Sequence, residues 1–555
     1  MKALIRWFHV ALACGLIAAG PAVAAPTDHL VDAAWLQKNL ESRDLLVLDT
    51  SPRPMHARAH IPGAVHVDVM MFMLASFSGR DVSVQELERM YQVVGIDPAR
   101  KIVIYDQGGS WLAPRLFFQL VYHGFPAERL AILDGGMAKW QADGHPVAKD
   151  ATAPPKPGSF KVSRVNEHER TRPAELVAAS GDRKANVLVD AMGTENHYGA
   201  GAFGMGGHIP YAVSMPAEDF YNADKTFKSP EEIRRMAALF GIRPDQEIHA
   251  HCGGGGAAAV PYFALKHLAG HSKVKLSVES QMGWLMDDRN LPFWTYAAPA
   301  MMRDTEWLGM WGGPMLRMYG VSRVSVVDVR APAAYAQGHV PFAVSVPGET
   351  FRGQASDPRK MAELLGASGI DPSHEAVVVS GGGLTRDAAL AYVTLERLGQ
   401  KKVSILMDSL ESLESLDKMT RLKLGVTKEA TIVGKPAKPT DMAVPPAKYT
   451  ATLKEGVTLA DAKATGGAYP KVFIASGKAL PSRAVEGKVV HVPYTELLNP
   501  DGTPRAAKDI WAILTKAGVP RYAELVSFSD DPGEAAANYF ILKLMGYPDV
   551  KVLLT

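Results

Sequence analysis

The chain has 555 residues, with 60 Lys and Arg against 58 Asp and Glu and a net charge of +2. That length exceeds one hydrophobic core and predicts about three to five domains of roughly 100–200 residues each. The balanced charge leaves no basic footprint for nucleic acid, and beyond the first two dozen residues no apolar run is long enough to span a bilayer.

Residues 1–24 read as a signal peptide. Lys2 and Arg6 give a charged start, an apolar run follows from Trp7 to Ala19, and Ala22-Val23-Ala24 offers small residues for cleavage. Cys14 lies within the run. Ala11-Leu12-Ala13 before it leaves an alternative, a lipoprotein lipidated at Cys14. The expectation is an exported, periplasmic protein with no membrane span. Its mature part then holds one thiol, Cys252, in a chain with 50 glycines overall. A lone thiol forms no internal disulfide, so in an oxidising compartment it is either buried and inert or exposed and used.

The elements repeat along the chain. In 27–150, DLLVLD ends a buried strand at Asp49, HARAHIPGAV follows, and KIVIYD ends a second strand at Asp106. QGGSW then turns into a helical pattern, and AILDGGMAKW closes the copy. In 160–296, NVLVD ends at Asp190, GHIPYAV contains His208, and EIHAHC ends at Cys252. In 300–425, VSVVDVR contains Asp328, GHVPFAV contains His339, and EAVVVS ends at Ser380. A worn copy, 448–555, has KVFIASG, EGKVVHVP and AELVSFS ending at Ser529. Strands alternating with helices predict α/β domains, each a parallel sheet with helices on both faces. A period above 100 residues means repeated domains, not a solenoid.

ATAPPKPGSF (151–160) reads as a linker, as does the Pro- and Lys-rich 428–451. The Met- and Trp-rich 297–320 is expected to pack between domains, not to bind copper, because Met fills irregular gaps. Gly199-Ala-Gly201-Ala-Phe-Gly204 satisfies G-x-G-x-x-G. It sits nine residues beyond Asp190 and runs into HIP, so it reads as a loop over the site and not as a dinucleotide turn.

The second copy carries the chemistry. Cys252 opens the turn, and Gly253, Gly254, Gly255 and Gly256 leave their backbone N–H groups free to turn towards its sulfur. A helix from about Ala257 is expected to point its positive end at the same place. Both features suit an anionic sulfur, as a thiolate or a persulfide. His249 and His251 share one strand face, and two readings are open. They line the pocket, with His251 holding charge near the sulfur, or they are satisfied strand histidines. Asp190 and His208 recur in copies without a cysteine, which favours a supporting role in pinning loops.

The combined pattern resembles the rhodanese-like sulfurtransferases, of the thiosulfate and mercaptopyruvate type. It rests on Asp49, Asp190 and Asp328 after the first strands, on His60-Ile61-Pro62, His208-Ile209-Pro210 and His339-Val340-Pro341, on Cys252-Gly253-Gly254-Gly255-Gly256-Ala257, and on Leu133-Asp134-Gly135-Gly136 to Trp140. The resemblance implies four tandem domains. It implies a Cys252 that takes sulfane sulfur from thiosulfate or a related donor and passes it to a thiophilic acceptor. Donors would be small sulfur-containing anions and the acceptor a thiol or protein cysteine, with no cofactor or metal. Asp106, Ser380 and Ser529 stand where a sulfur would be, so the other three copies would be inactive. The all-glycine turn lacks the cations or serine of typical relatives, and 191–210 lacks their arginines. Arg115 of the first copy, with Trp111, is the candidate to hold the donor from across a pocket between copies one and two. The alternative is a non-catalytic scaffold or anion-binding protein. A cysteine phosphatase needs an Arg closing the loop, and Ala258 stands there instead.

Overall fold

The computed structural model describes residues 29–71, 83–149, 154–201, 205–313, 316–317, 319–353, 357–410, 444–458 and 467–554. The expected signal peptide, Cys14, Gly204 and most of the 428–451 linker lie outside the described residues.

Four parallel sheets follow one another along the chain. The first contains β1 (Leu30–Val31), β2 (Leu45–Asp49), β3 (Val65–His66), β4 (Lys101–Tyr105) and β5 (Leu130–Leu133), in the order β1-β5-β4-β2-β3. The second repeats that order with β6 (Arg170–Thr171), β7 (Asn186–Asp190), β8 (Val213–Ser214), β9 (Glu247–His251) and β10 (Val274–Ser277). The third does so with β11 (Met302–Arg303), β12 (Val324–Asp328), β13 (Ala343–Ser345), β14 (Glu375–Val379) and β15 (Lys402–Leu406). The fourth runs β17-β16-β18-β19, from β16 (Lys471–Ala475), β17 (Lys488–His491), β18 (Glu524–Phe528) and β19 (Val550–Leu553).

Alternate residues of each central strand enter different cores, as a sheet buried on both faces requires. Leu46, Leu48, Ile102 and Ile104 join one cluster; Leu45, Val47, Val103 and Tyr105 join another. The clusters also reveal an organisation that the repeat pattern did not show. The inner faces of copies one and two share a single core, and those of copies three and four share a second. Each pair closes through the helices that follow its turns. Leu112–Tyr122 packs on Ala259–Phe263, and Arg386–Arg397 packs on Pro532–Leu544. Phe117 meets Phe263 edge-on at 4.9 Å, and Tyr392 meets Phe540 edge-on at 5.0 Å. The chain is thus built as two two-sheet units.

The 297–320 segment does more than connect. Its Met302–Arg303 is β11 itself, and Thr305–Gly312 is a helix capped by Asp304. Met301 packs in the core of the second unit, while Met310 and Trp311 are exposed, so the expected packing role holds for only part of it.

Candidate functional site

Cys252 is the first residue after β9, at the carboxyl end of a central strand, where open α/β sheets bind ligands. Its Sγ accepts the Gly255 N–H at 3.1 Å. Gly255 has φ +78°, and a Cβ there would lie 2.4 Å from the Val278 carbonyl oxygen. Glycine is therefore required at this position, on backbone grounds and on space. The expectation that all the turn's N–H groups face the sulfur is corrected. The Gly253 N–H donates to Met192 Sδ at 3.0 Å, and the Cys252 N–H donates to Ser280 Oγ at 3.1 Å. The helix starts at Ala259, not Ala257, and passes at Ala264 into a π-helical turn reaching Leu268. The thiol is free and 3% exposed.

Ser280 holds the turn from the other side. Its hydroxyl donates to the Ser277 carbonyl at 2.6 Å while accepting from Cys252. Ser280 has φ +51°, and its counterpart in copy one is Gly136 at φ +54°. A side chain thus stands where the fold favours glycine, at a modest backbone cost. The Cys252 and Gly253 carbonyls accept from the Gln281 and Met282 N–H groups at 2.9 and 3.0 Å.

Of the two strand histidines, one is a satisfied strand histidine and the other is neither satisfied nor charged. His249 is satisfied, with Nδ1 2.8 Å from Thr171 Oγ1 and Nε2 3.0 Å from Asn186 Oδ1. His251 is fully buried with neither ring nitrogen hydrogen-bonded, and its Nδ1 is 4.0 Å from Asp190 Oδ1. Burial pushes its pKa down to about 4, so it stays neutral and supplies no charge to the sulfur. Asp190 instead engages His197, which sequence reading missed, at 2.8 Å; His208 stacks on His197 at 3.7 Å and bonds its carbonyl oxygen at 2.8 Å. Copy one has the same frame in Asp49, His56 and His60, so this cluster pins loops in both copies. The seven-residue step from Asp to His, shared by 49–56 and 190–197, was the available signal. Among the described residues no group of His, Cys, Asp and Glu is arranged to hold a metal ion.

Arg115 comes from copy one, on the helix that packs against copy two, and is 1% exposed. One terminal nitrogen of its guanidinium donates to Gln119 Oε1 at 2.5 Å, and its buried Nε has no hydrogen-bond partner. Burial, ahead of the neighbouring charges, pushes its pKa down to about 10, and Cys252 is among the groups that couple to it. Arg115 therefore stands within electrostatic reach of the sulfur, but inside the shared core and not on an open wall. Trp111 is half-buried against the same core.

The other turns are closed by their own side chains. Asp106 accepts the Gly108 N–H at 2.8 Å and the Ala113 N–H at 3.0 Å. Ser380 donates to the Gly383 carbonyl at 3.0 Å, and Ser529 donates to Glu534 Oε2 at 2.6 Å. The following copy also covers two of them. Tyr221 donates to the Ser110 carbonyl at 2.6 Å, and the Gly502 carbonyl accepts from the Leu384 N–H at 2.8 Å.

Stretches of the chain are similar to known proteins. A protein of Mycobacterium bovis, provisionally named thiosulfate sulfurtransferase 1, is 27% identical over 261 residues, 45% of this chain and 92% of its own. The sulfur carrier protein TtuD of Thermus thermophilus is 28% identical over 259 residues, 44% of this chain and 90% of its own. The crystal structure of the Escherichia coli 3-mercaptopyruvate sulfotransferase SseA matches 45% of this chain and 98% of its own, at 23% identity and a TM-score of 0.41. The model of the rhodanese-like domain matches residues 32–143, 172–287 and 315–415, which carry all but the first strand of each of the first three sheets. With more than half of its length so matched, the chain belongs to the rhodanese-like family.

Proposed function

We propose that this protein is a sulfurtransferase that carries sulfane sulfur on Cys252. The observation that carries the reading is the turn after β9. It alone of the four turns begins with a thiol, the group that can form a persulfide, and its Gly255 N–H meets that sulfur at 3.1 Å. The names of its relatives, thiosulfate sulfurtransferase and sulfur carrier protein, support sulfur as the cargo.

The reaction proceeds in two half-reactions. The Cys252 thiolate attacks the outer sulfur of a donor such as thiosulfate. A new S–S bond forms, the donor S–S bond breaks, and sulfite leaves with the electron pair. The persulfide anion is held by the Gly255 N–H, which is fixed in place by the turn and needs no reorganisation. A thiophilic acceptor such as cyanide or a thiol then attacks the terminal sulfur and restores the thiolate. Neutral His251 and Asp190, tied to His197, shape the floor beneath the turn and take no proton. Asp106, Ser380 and Ser529 form no persulfide.

The test is turnover of thiosulfate and of mercaptopyruvate with cyanide as acceptor, for wild type and Cys252→Ser. Thiocyanate formed by the wild type with either donor, and absent in the variant, supports the reading. Equal background for both proteins, with a thiol shown to be free, would leave the scaffold or anion-binding reading in its place.

A further inference from the structure

The fourth copy has no thiol, yet its Arg521 reaches into the second. One terminal nitrogen of the guanidinium donates to Thr194 Oγ1 at 2.8 Å and to Asp219 Oδ2 at 3.3 Å. The other donates to the Ser214 carbonyl. Tyr522 beside it donates to the same Asp219 oxygen at 2.8 Å. Further along, Tyr198 donates to the Met545 carbonyl at 2.5 Å, and the Ala298 N–H donates to the Leu544 carbonyl at 3.2 Å. A small cavity of about 190 Å³ lies beside these contacts, lined by His197, Tyr198, Arg521 and Tyr547 among others.

The three groups that Arg521 grips belong to three separate segments of the second copy. Thr194 opens the short helix Thr194–His197, Ser214 ends β8, and Asp219 lies in the turn after it. The first is part of the 191–201 segment, which leads to the Cys252 turn. Its Met192 accepts the Gly253 N–H, and its His197 holds Asp190, which in turn accepts the Met192 N–H at 3.0 Å. One charged group bonding three separate segments fixes their spacing, and charge-assisted hydrogen bonds are the strong ones.

We propose that the fourth copy is a built-in brace for the second, with Arg521 the positioning residue that holds the 191–201 segment against the Cys252 turn. A domain without its own chemistry is then retained because the neighbouring site depends on it. Its consequence for donor binding rests on the sulfurtransferase reading; the bracing itself does not.

The test is hydrogen exchange of the full-length protein, read by peptide, for wild type, Arg521→Ala, Arg521→Lys and Thr194→Val. In Arg521→Ala, exchange across 191–201 rises by about tenfold or more while β18 and β19 stay protected, as expected for loss of a charged hydrogen-bonding group. Arg521→Lys, which keeps the charge but not the fork, falls between the two. Steady-state assays show the donor KM rising with kcat little changed. If Arg521→Ala does not fold, Thr194→Val removes the contact from the other side, and exchange at 194–197 decides. Unchanged exchange across 191–201 in the folded variants overturns the proposal. A wild type that takes up no sulfur removes the sulfurtransferase reading and the KM arm, and leaves the exchange result to decide the brace.

Discussion

The turns after β4 and β9 share one backbone frame and differ in what fills it. In copy one, Asp106 spends both carboxylate oxygens on the turn's own N–H groups, and Tyr105 bridges Asp49 Oδ2 and the Ile61 N–H at 2.9 and 3.0 Å. In copy two, Cys252 takes one N–H, and His251, in the register position of Tyr105, leaves both ring nitrogens unpaired. The first turn is a closed set of hydrogen bonds and the second an open one. A self-satisfied turn is stable and has nothing left to offer a ligand; one flanked by uncommitted polar groups gives up stability, and its sulfur, though only 3% exposed, accepts one N–H.

The largest expected effect separates the glycines three places after the first residue of each turn, Gly255 and Gly109. Gly255→Ala puts a Cβ 2.4 Å from the Val278 carbonyl oxygen at φ +78°, against rigid backbone. Its expected cost is about 3 kcal/mol or more in urea unfolding, with loss of Cys252 reactivity. Gly109→Ala in copy one meets only the flexible Lys225 side chain, at 2.9 Å. It is expected to cost about 1 kcal/mol, mostly the positive φ. Equal costs would break the comparison.

Removing the first residue of each turn comes next. Asp106→Ala strands two N–H groups, one buried and one half-buried, and is expected to destabilise by about 2–4 kcal/mol, at ~1–2 per unpaired group. Cys252→Ala strands one, and is expected to cost about half as much by the same reasoning.

Acid separates the copies further. Burial pushes His197 and His208 down to about 3, and His251 to about 4, with Arg521 adding to the effect at His197 and Asp190 opposing it at the other two. The unfolded chain takes up these protons near the usual histidine pKa and the folded chain does not. Their contribution is therefore complete above about pH 6.5 and is lost progressively as pH falls towards 4 and 3. Asp190, raised by burial, offsets part of this because it accepts a proton more readily when folded. His251→Tyr, which copies the residue of copy one, is expected to flatten the fall in stability between pH 6.5 and 4 by up to about one proton. An unchanged slope would show that His251 is not among the groups responsible.

The smallest effect is Ser280→Ala. It removes the acceptor of the Cys252 N–H, for about 1 kcal/mol, and slows alkylation of the thiol in proportion to how far the turn relaxes.

Much of this was legible in the sequence. Buried strands ending in Asp49, Asp190 and Asp328, and the turns opened by Asp106, Cys252 and Ser380, follow from local pattern, because a parallel strand buried on both faces reads as a continuous apolar run. The pairing of copies one and two was expected only from the family resemblance, and that of copies three and four was not legible, since Phe117 on Phe263 and Tyr392 on Phe540 are contacts between helices that look alike in every copy. Arg521 was hidden for the same reason: it meets Thr194 across 327 residues and leaves no periodic trace. Arg115 was placed in the right region from the sequence, but its burial in the shared core depends on packing that no spacing records.

The most direct measurement is the intact mass of the purified protein, wild type and Cys252→Ser, before and after thiosulfate or mercaptopyruvate. The prediction is a gain of one sulfur atom by the wild type, reversed by cyanide and absent in the variant. A wild type with a free thiol that gains no mass from either donor, or a variant that gains as much, would contradict Cys252 as the carrier.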